Sequence, residues 1–357
     1  MNINHLDLFS GIGGFHLGFE RAGFKTNSYF SEIDKYAIQV YKHKFKESNY
    51  VGSVTDVRGG DLPDIDLITF GSPCQDFSLA GKRKGLGGER SSLISEAIRL
   101  IREKRPRVFV WENVKGTFSS NNRQDFAAIL QAFANIRGYR LEWQLLNTKW
   151  FLPQNRERIY LVGYLGGGSG GQIFPIRESI KRDVIEKEYS ARITTSYHKG
   201  VNFDNQLIKI KSATSKGYEV AQEGDSINYS VPTSKTRRGR VGKGVAQTLD
   251  TACNQATILG YTRDKKGKVV SRHKVDKANT LHSATGGGGN TDQFVTNDVT
   301  IRRLTPIECE RLQGFPDDWT KQGTEGMISD TQRYKMCGNA VTVDVVAAVA
   351  ERIKKVI

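Results

Sequence analysis

The first 165 residues alternate short apolar runs with stretches of helical period. "HLDLF" predicts a strand, a glycine turn follows it, and "FHLGFERAG" then carries helical spacing. "NSYFSEID" predicts a second strand running into the helical "KYAIQVYKHKF", and "DIDLITF" predicts a third strand. In "LISEAIRLIREK" the residues Leu93, Ala97, Leu100 and Ile101 share one helical face. "RPRVFVWEN" predicts a fourth strand and "RIYLVGY" a later one. This alternation predicts an α/β fold, a doubly wound Rossmann-like parallel sheet with helices on both faces.

The texture changes at "YLGGGSGG". From there to about Thr300 the chain is rich in Gly, Ser, Thr and Lys, which predicts a smaller, loop-rich domain. Two phrases within it, "GVAQTLDTACNQ" and "KANTLHSATGGGGN", echo each other and predict two similar strand-turn units. Order returns at "IRRLTPIECERLQGF", and "MCGNAVTVDVVAAVAERIKKVI" predicts an apolar terminal helix with basic residues in its last turn. The expected division is residues 1–165 completed by 331–357, with a second domain and hinge over 166–330.

Charge adds a partner. Lys and Arg number 53 against 38 Asp and Glu, a formal net charge of +15, which points to a polyanion and to nucleic acid ahead of an anionic membrane. No apolar stretch is long enough to span a bilayer, and the amino terminus lacks a signal-peptide pattern. The loop "SKTRRGRVGKG" makes Arg237, Arg238 and Arg240 candidate phosphate contacts. The four cysteines form no C-x-x-C pair and the six histidines no H-E-x-x-H, so no metal site is expected.

Three features carry chemistry. "DLFSGIGG" puts Gly11, Gly13 and Gly14 between a strand and a helix, where backbone can approach a ligand. Glu32 ends the next strand, about 20 residues on, where a carboxylate can hold ribose hydroxyls. Together they predict an adenosine-containing cofactor. Cys74 in "GSPCQDFS" and Glu112 in "WENV" each follow a strand, so a parallel sheet brings both to the edge where the glycine turn opens.

At this point the chain resembles a known family. "DLFSGIGG", "GSPCQDFS", "ENV", "QNRER", "RRLTPIECERLQGFP" and "GNAV" resemble, in order, the motif set of the cytosine-5 DNA methyltransferases of prokaryotic or phage type. The resemblance implies S-adenosylmethionine as methyl donor, S-adenosylhomocysteine as product, no metal, and a flipped-out cytosine in a short duplex DNA site. It implies that Cys74 is the nucleophile, that Glu112 is protonated toward the base in the reacting complex, and that Arg158 contacts the cytosine O2 with Arg156 supporting it. It assigns Phe9, Gly11, Ile12, Gly14, Glu32, Ile33, Pro73, Leu93, Asn339 and Val341 to the cofactor. The family often has Asp after the glycine of "G-D-I". Here Ser53 stands there, followed by Val54, and either Ser53 or, three residues on, Asp56 is left to meet the adenine amino group. Gln75, Ser78 and Lys82, in the glycine-rich segment after the cysteine, are expected on DNA. A monomer in a prokaryotic cytoplasm is implied, with a restriction endonuclease as a functional partner that makes no stable contact. Two alternatives are a tRNA cytosine-5 methyltransferase of the same family, which usually carries a Cys-Phe-Thr stretch not seen here, and a non-catalytic DNA-binding module.

Overall fold

The computed structural model describes residues 1–72, 93–119, 124–166, 171–177, 208–222, 224–230, 240–260, 293–296 and 299–357. Its centre is a seven-stranded sheet. The strands are β1 (Asn2–Leu8), β2 (Lys25–Ser31), β3 (Asn49–Tyr50), β4 (Leu67–Gly71), β5 (Val108–Val114), β6 (Tyr139–Asn147) and, after the short β7 (Gln154–Asn155), β8 (Glu157–Leu165). The order across the sheet is β3-β2-β1-β4-β5-β8-β6. The first five run parallel, and the order reverses direction on the two sides of β1. That reversal is the switch point at which doubly wound sheets open a ligand crevice.

The helices that follow the parallel strands are α1 (Gly14–Arg21), α2 (Lys35–Lys44) and α3 (Leu93–Lys104). On α3, Ile94, Ala97, Ile98, Leu100 and Ile101 are buried against Leu6, Ile68 and Phe70 of the sheet. The stripe read from sequence is therefore the packed face. The opposite sheet face is covered by α1 and by the last helix, Val343–Ile353. Phe15 and Phe19 meet Val345, Val346 and Val349 there. The last helix of the chain thus packs back on the first.

Two differences from the sequence reading have physical causes. β8 pairs antiparallel with β5 and with β6. The strand β6, "YRLEWQLLN", carries no clean period in sequence because its burial does not alternate; most of it is only half-covered at the sheet edge. The carboxyl-terminal segment is two helices rather than one. Helix Asp330–Asn339 ends at Ala340, whose φ of −66° and ψ of 150° are extended, and a new helix begins at Val343.

The described part of the middle region is β-rich. Its largest sheet has the order β12-β11-β14-β16-β15, from Ser226–Asn228 (β11), Val241–Gly242 (β12), Gln255–Gly260 (β14), Gln293–Thr296 (β15) and Val299–Arg303 (β16). A second sheet pairs Ile208–Lys211 (β9) with Tyr218–Ala221 (β10). β13 (Ala246–Gln247) pairs parallel with β7, and so stitches this region to the main domain. The first echoing phrase forms β13 and a turn; the second lies outside the described residues. Leu249 and Cys253 from the first phrase share a small core with Leu304, Cys309, Leu312, Tyr334 and Cys337.

Candidate active site

The glycine turn is bent by three left-handed residues at alternate positions: Phe9 at φ 52°, Gly11 at 53° and Gly13 at 83°. A phenylalanine in that region is costly, and such strain gathers where a backbone must face a ligand. Gly11 N–H donates to Glu32 Oε2 at 2.8 Å, and nothing occupies the space where its Cβ would stand. Glu32 Oε1 accepts from the amides of Ile33 and Asp34 at 2.7 and 2.9 Å. The carboxylate is thus held from three sides with lone pairs left over for hydroxyls. Beside it Ile33 is 78% exposed, an apolar platform open to a flat ring. These features fit an adenosine group.

Asp34 caps α2, accepting from the amides of Tyr36 and Ala37, and pairs with Lys335 at 2.7 Å. Partial burial pulls its carboxyl upward, but the lysine and the two amides outweigh this and hold it below the usual range. That ion pair ties the helix behind Glu32 to the helix that ends at Asn339.

The structure also sorts the expected cofactor residues. Ile12 and Val54 are buried in the core and offer a ligand little surface. Ile12 O is already used, accepting Trp319 Nε1–H at 3.0 Å. Gly14 is glycine because a Cβ there would come within 2.6 Å of Val341 Cγ2. Two positions expected on a ligand are therefore packed on each other, and they join the glycine turn to the "GNAV" segment. Asn339 is exposed and Leu93 half-buried at the start of α3. Ser53 Oγ lies 2.9 Å from Thr55 Oγ1, whose hydroxyl donates to Asp56. Ser53 is half-buried and Asp56 exposed.

At the next strand ends, Gly71 of β4 is in register with Glu112 of β5. Glu112 is buried and forms an ion pair with Arg158 of β8, Nε to Oε1 3.1 Å. Arg158 Nη1 also donates to Glu157 O at 2.8 Å. Burial and the Glu112 charge both raise the buried Tyr160 hydroxyl, with Arg156 and Arg158 opposing. Asn113 ties the two strand ends together. Its Nδ2 donates to Ser72 O at 3.0 Å, and its Oδ1 accepts from Val114 N–H and Thr117 Oγ1. Trp111 Nε1 donates to Ser72 Oγ at 3.1 Å. The chain is thus fixed at Ser72, two residues before Cys74. Pro73, Cys74, Gln75, Ser78, Lys82, Arg237 and Arg238 lie outside the described residues.

An open pocket of about 280 Å³ adjoins Arg158. It is lined by Val114, Lys115, Gly116, Asn155, Glu157, Arg158, Gln247 and Thr248, so the main sheet and the β-rich region face each other across it. Lys115, Gln247 and Thr248 were not singled out from sequence. The available signal was the repeated "TL" of the echoing phrases, read only as a structural repeat. Thr248 Oγ1 donates to Asn155 O at 2.8 Å and Leu249 N–H to Gln154 Oε1 at 3.1 Å, which seats the "TL" on the "QN" of "QNRER".

Two expectations are corrected. Arg240 is only 2% exposed, and its Nη1 donates to the carbonyls of Asn228 and Ser230 at 3.2 and 2.9 Å. It braces the β-rich region and is not available to a phosphate. Arg240→Ala should therefore lower thermal stability, by about 1–3 kcal/mol for stranded carbonyls. The salt dependence of DNA binding should keep its wild-type slope, measured by anisotropy over a salt series. Arg156 is also buried, with its guanidinium on the carbonyls of Gly338 and Ala340 at 3.3 and 2.9 Å. It faces the "GNAV" backbone, whereas Arg158 faces Glu112.

The family model described as C-5 cytosine-specific DNA methylase matches residues 3–355. Type II methyltransferase M.Bsp6I of Bacillus sp. (strain RFL6) is 31% identical over 98% of this chain and 97% of its own. Type II methyltransferase M1.ScrFI of Lactococcus lactis subsp. cremoris is 31% identical over 99% and 78%. Among solved structures, the Entamoeba histolytica methyltransferase EhMeth superposes with a TM-score of 0.58 at 18% identity, covering 99% of this chain and 98% of that one, a likeness of fold.

Proposed function

The chain belongs to the C-5 cytosine-specific DNA methylases, and we propose that Cys74, Glu112 and Arg158 perform its methyl transfer on a cytosine turned out of duplex DNA. It is a DNA cytosine-5 methyltransferase. The observation that carries the site reading is the Glu112–Arg158 ion pair, placed across from the strand end that leads into Cys74.

Carbon 5 of cytosine is a weak nucleophile. A Cys74 thiolate adding at carbon 6 gives it enamine character. Negative charge then builds toward N3 and O2. A proton on Glu112 answers it at N3, and the Arg158 guanidinium answers it at O2. In the free protein these two groups neutralise each other. Arrival of the base replaces that pairing, with Arg158 turning to O2 and Glu112 taking up a proton. Carbon 5 takes the methyl group, loses its proton, and expels Cys74. A base stacked in a duplex cannot reach a buried strand end, so the nucleotide must be extruded.

S-adenosylmethionine supplies the methyl group on a sulfonium, which needs no metal to activate it. Glu32 would hold its ribose hydroxyls and Ile33 its adenine at the glycine turn, and Asn339 and Val341 would hold its methionine part. Phe9, Gly11, Pro73 and Leu93 complete the seat, with Ser53 toward the adenine amino group. We assign chemistry and donor binding to residues 1–165 with 331–357, and recognition to 166–330, with DNA between them. Lys115 and Thr248 on the pocket rim join Gln75, Ser78, Lys82, Arg237 and Arg238 as DNA contacts. We place the protein as a monomer in a prokaryotic cytoplasm, paired in function but not in stable contact with an endonuclease.

Bisulfite sequencing of plasmid from cells expressing the chain tests this reading. Protected cytosines should appear within one short recurring site. A fully converted plasmid, with purified protein also transferring no labelled methyl to duplex DNA, would overturn it.

A further inference from the structure

Arg156 and Arg158 stand two residues apart in one motif, yet their guanidinium groups serve different ends of the site. Arg156 Nη1 and Nη2 reach the carbonyls on either side of Asn339. A guanidinium is a rigid planar fork, so gripping the two carbonyls that flank one residue sets how that residue is presented. The grip falls where help is needed. Helix Asp330–Asn339 ends here, its last carbonyls lack intrahelical donors, and this is the negative end of its dipole. Arg156 supplies the donors and the positive charge from another element. The other side of the segment is closed as well, because a Cβ on Gly338 would meet the Asp250 backbone at 2.6 Å. Beyond the grip, Val341 packs on Gly14 of the glycine turn. Arg156 is itself anchored, its N–H donating to Asn147 Oδ1 at 3.2 Å and its carbonyl accepting Thr148 N–H at 2.9 Å.

We infer that Arg156 is a positioning residue for the methyl donor: it holds residues 338–341 in the shape that offers Asn339 and Val341 to the donor, and it does not contact the cytosine. This rests on the assignment of Asn339 and Val341 to the donor seat. One consequence is that the donor seat and the base-facing Arg158 share a single short segment, with Glu157 between them.

The test compares full-length wild type, Arg156→Lys, Arg156→Gln and Arg158→Lys. Calorimetry without DNA measures the Kd for S-adenosylmethionine, anisotropy the Kd for a methylatable duplex, and single-turnover assays the rate at saturating donor. Loss of a charge-assisted double hydrogen bond should raise the donor Kd about tenfold in both Arg156 variants. Their saturated rate and duplex affinity should stay within about threefold of wild type. Arg158→Lys should show the reverse, a slower saturated rate with an unchanged donor Kd. An Arg156→Lys protein that binds donor normally and turns over slowly at saturation would overturn the inference in favour of base contact. Hydrogen exchange on wild type keeps the test open should the variants misfold. Donor alone should slow exchange across 338–343 and 155–157 together, and protection confined to the glycine turn would also overturn it. Wild type that binds no donor at all would instead remove the donor reading itself.

Discussion

Cys74→Ser should abolish methyl transfer while leaving duplex binding intact. A serine hydroxyl is slightly smaller than a thiol and keeps its shape, but it is not ionised near neutral pH and adds poorly to carbon 6. Loss of a covalent nucleophile should slow single turnover on the order of 10⁴-fold or more. The other three cysteines are poor substitutes. Cys253, Cys309 and Cys337 are buried together in one small core, and burial pushes the Cys309 and Cys337 thiols well up. Duplex carrying 5-fluorocytosine at the modified position gives a second readout. Fluorine cannot leave as the carbon-5 proton does, so the wild-type adduct should persist and survive denaturation. Cys74→Ser should form none. An adduct mapped to another cysteine, or turnover at the wild-type rate, would sink the assignment.

Glu112→Gln should have the second largest effect, about 100- to 10,000-fold on the single-turnover rate, with donor Kd unchanged. The amide is isosteric and can still hydrogen-bond to N3, but it cannot deliver a proton. It also leaves Arg158 facing a neutral group in a buried place, where an ion pair stood at 3.1 Å. Because both groups act on the same ring, the double variant with Arg158→Lys should be far less impaired than the two single losses multiplied. Simple multiplication of the two effects would mean that the residues act at separate steps. A Glu112→Gln rate within about threefold of wild type would remove the proton from the mechanism.

Much of the fold is legible because local pattern and burial agree. "DIDLITF" and "RVFVW" are nearly continuous apolar runs, and in the structure β4 and β5 are central strands buried on both faces. α3 shows its packed stripe at helical spacing for the same reason. β6 was hidden because an edge strand half-covered by neighbours has no clean period. The break at residues 340–342 follows Gly338 and Asn339, residue types that often close a helix, but the apolar run that continues to Val349 overshadows it in the sequence. Arg156, reaching over from another strand, holds the carbonyl of Ala340 where the chain leaves the first helix.

The site divides in the same way. The glycine turn, Glu32, Cys74 and Glu112 belong to short motifs that follow or end parallel strands, and a parallel sheet gathers those carboxyl ends on one edge; Arg158 reaches the same edge from the start of the antiparallel β8. Residue types and their order were therefore enough to name this family and its chemistry. Sequence could not say which way a cation turns. Arg240 sits in the most basic loop of the chain and Arg156 in a catalytic motif, yet each is enclosed and spent on backbone carbonyls. A charged side chain goes where unpaired acceptors and burial leave it the lowest free energy. Those acceptors, on residues 228, 230, 338 and 340, lie 10 to 184 positions away along the chain. Only the tertiary structure brings them within reach, and so only it decided that one arginine of "QNRER" pairs with Glu112 while the other grips the carbonyls of residues 338 and 340.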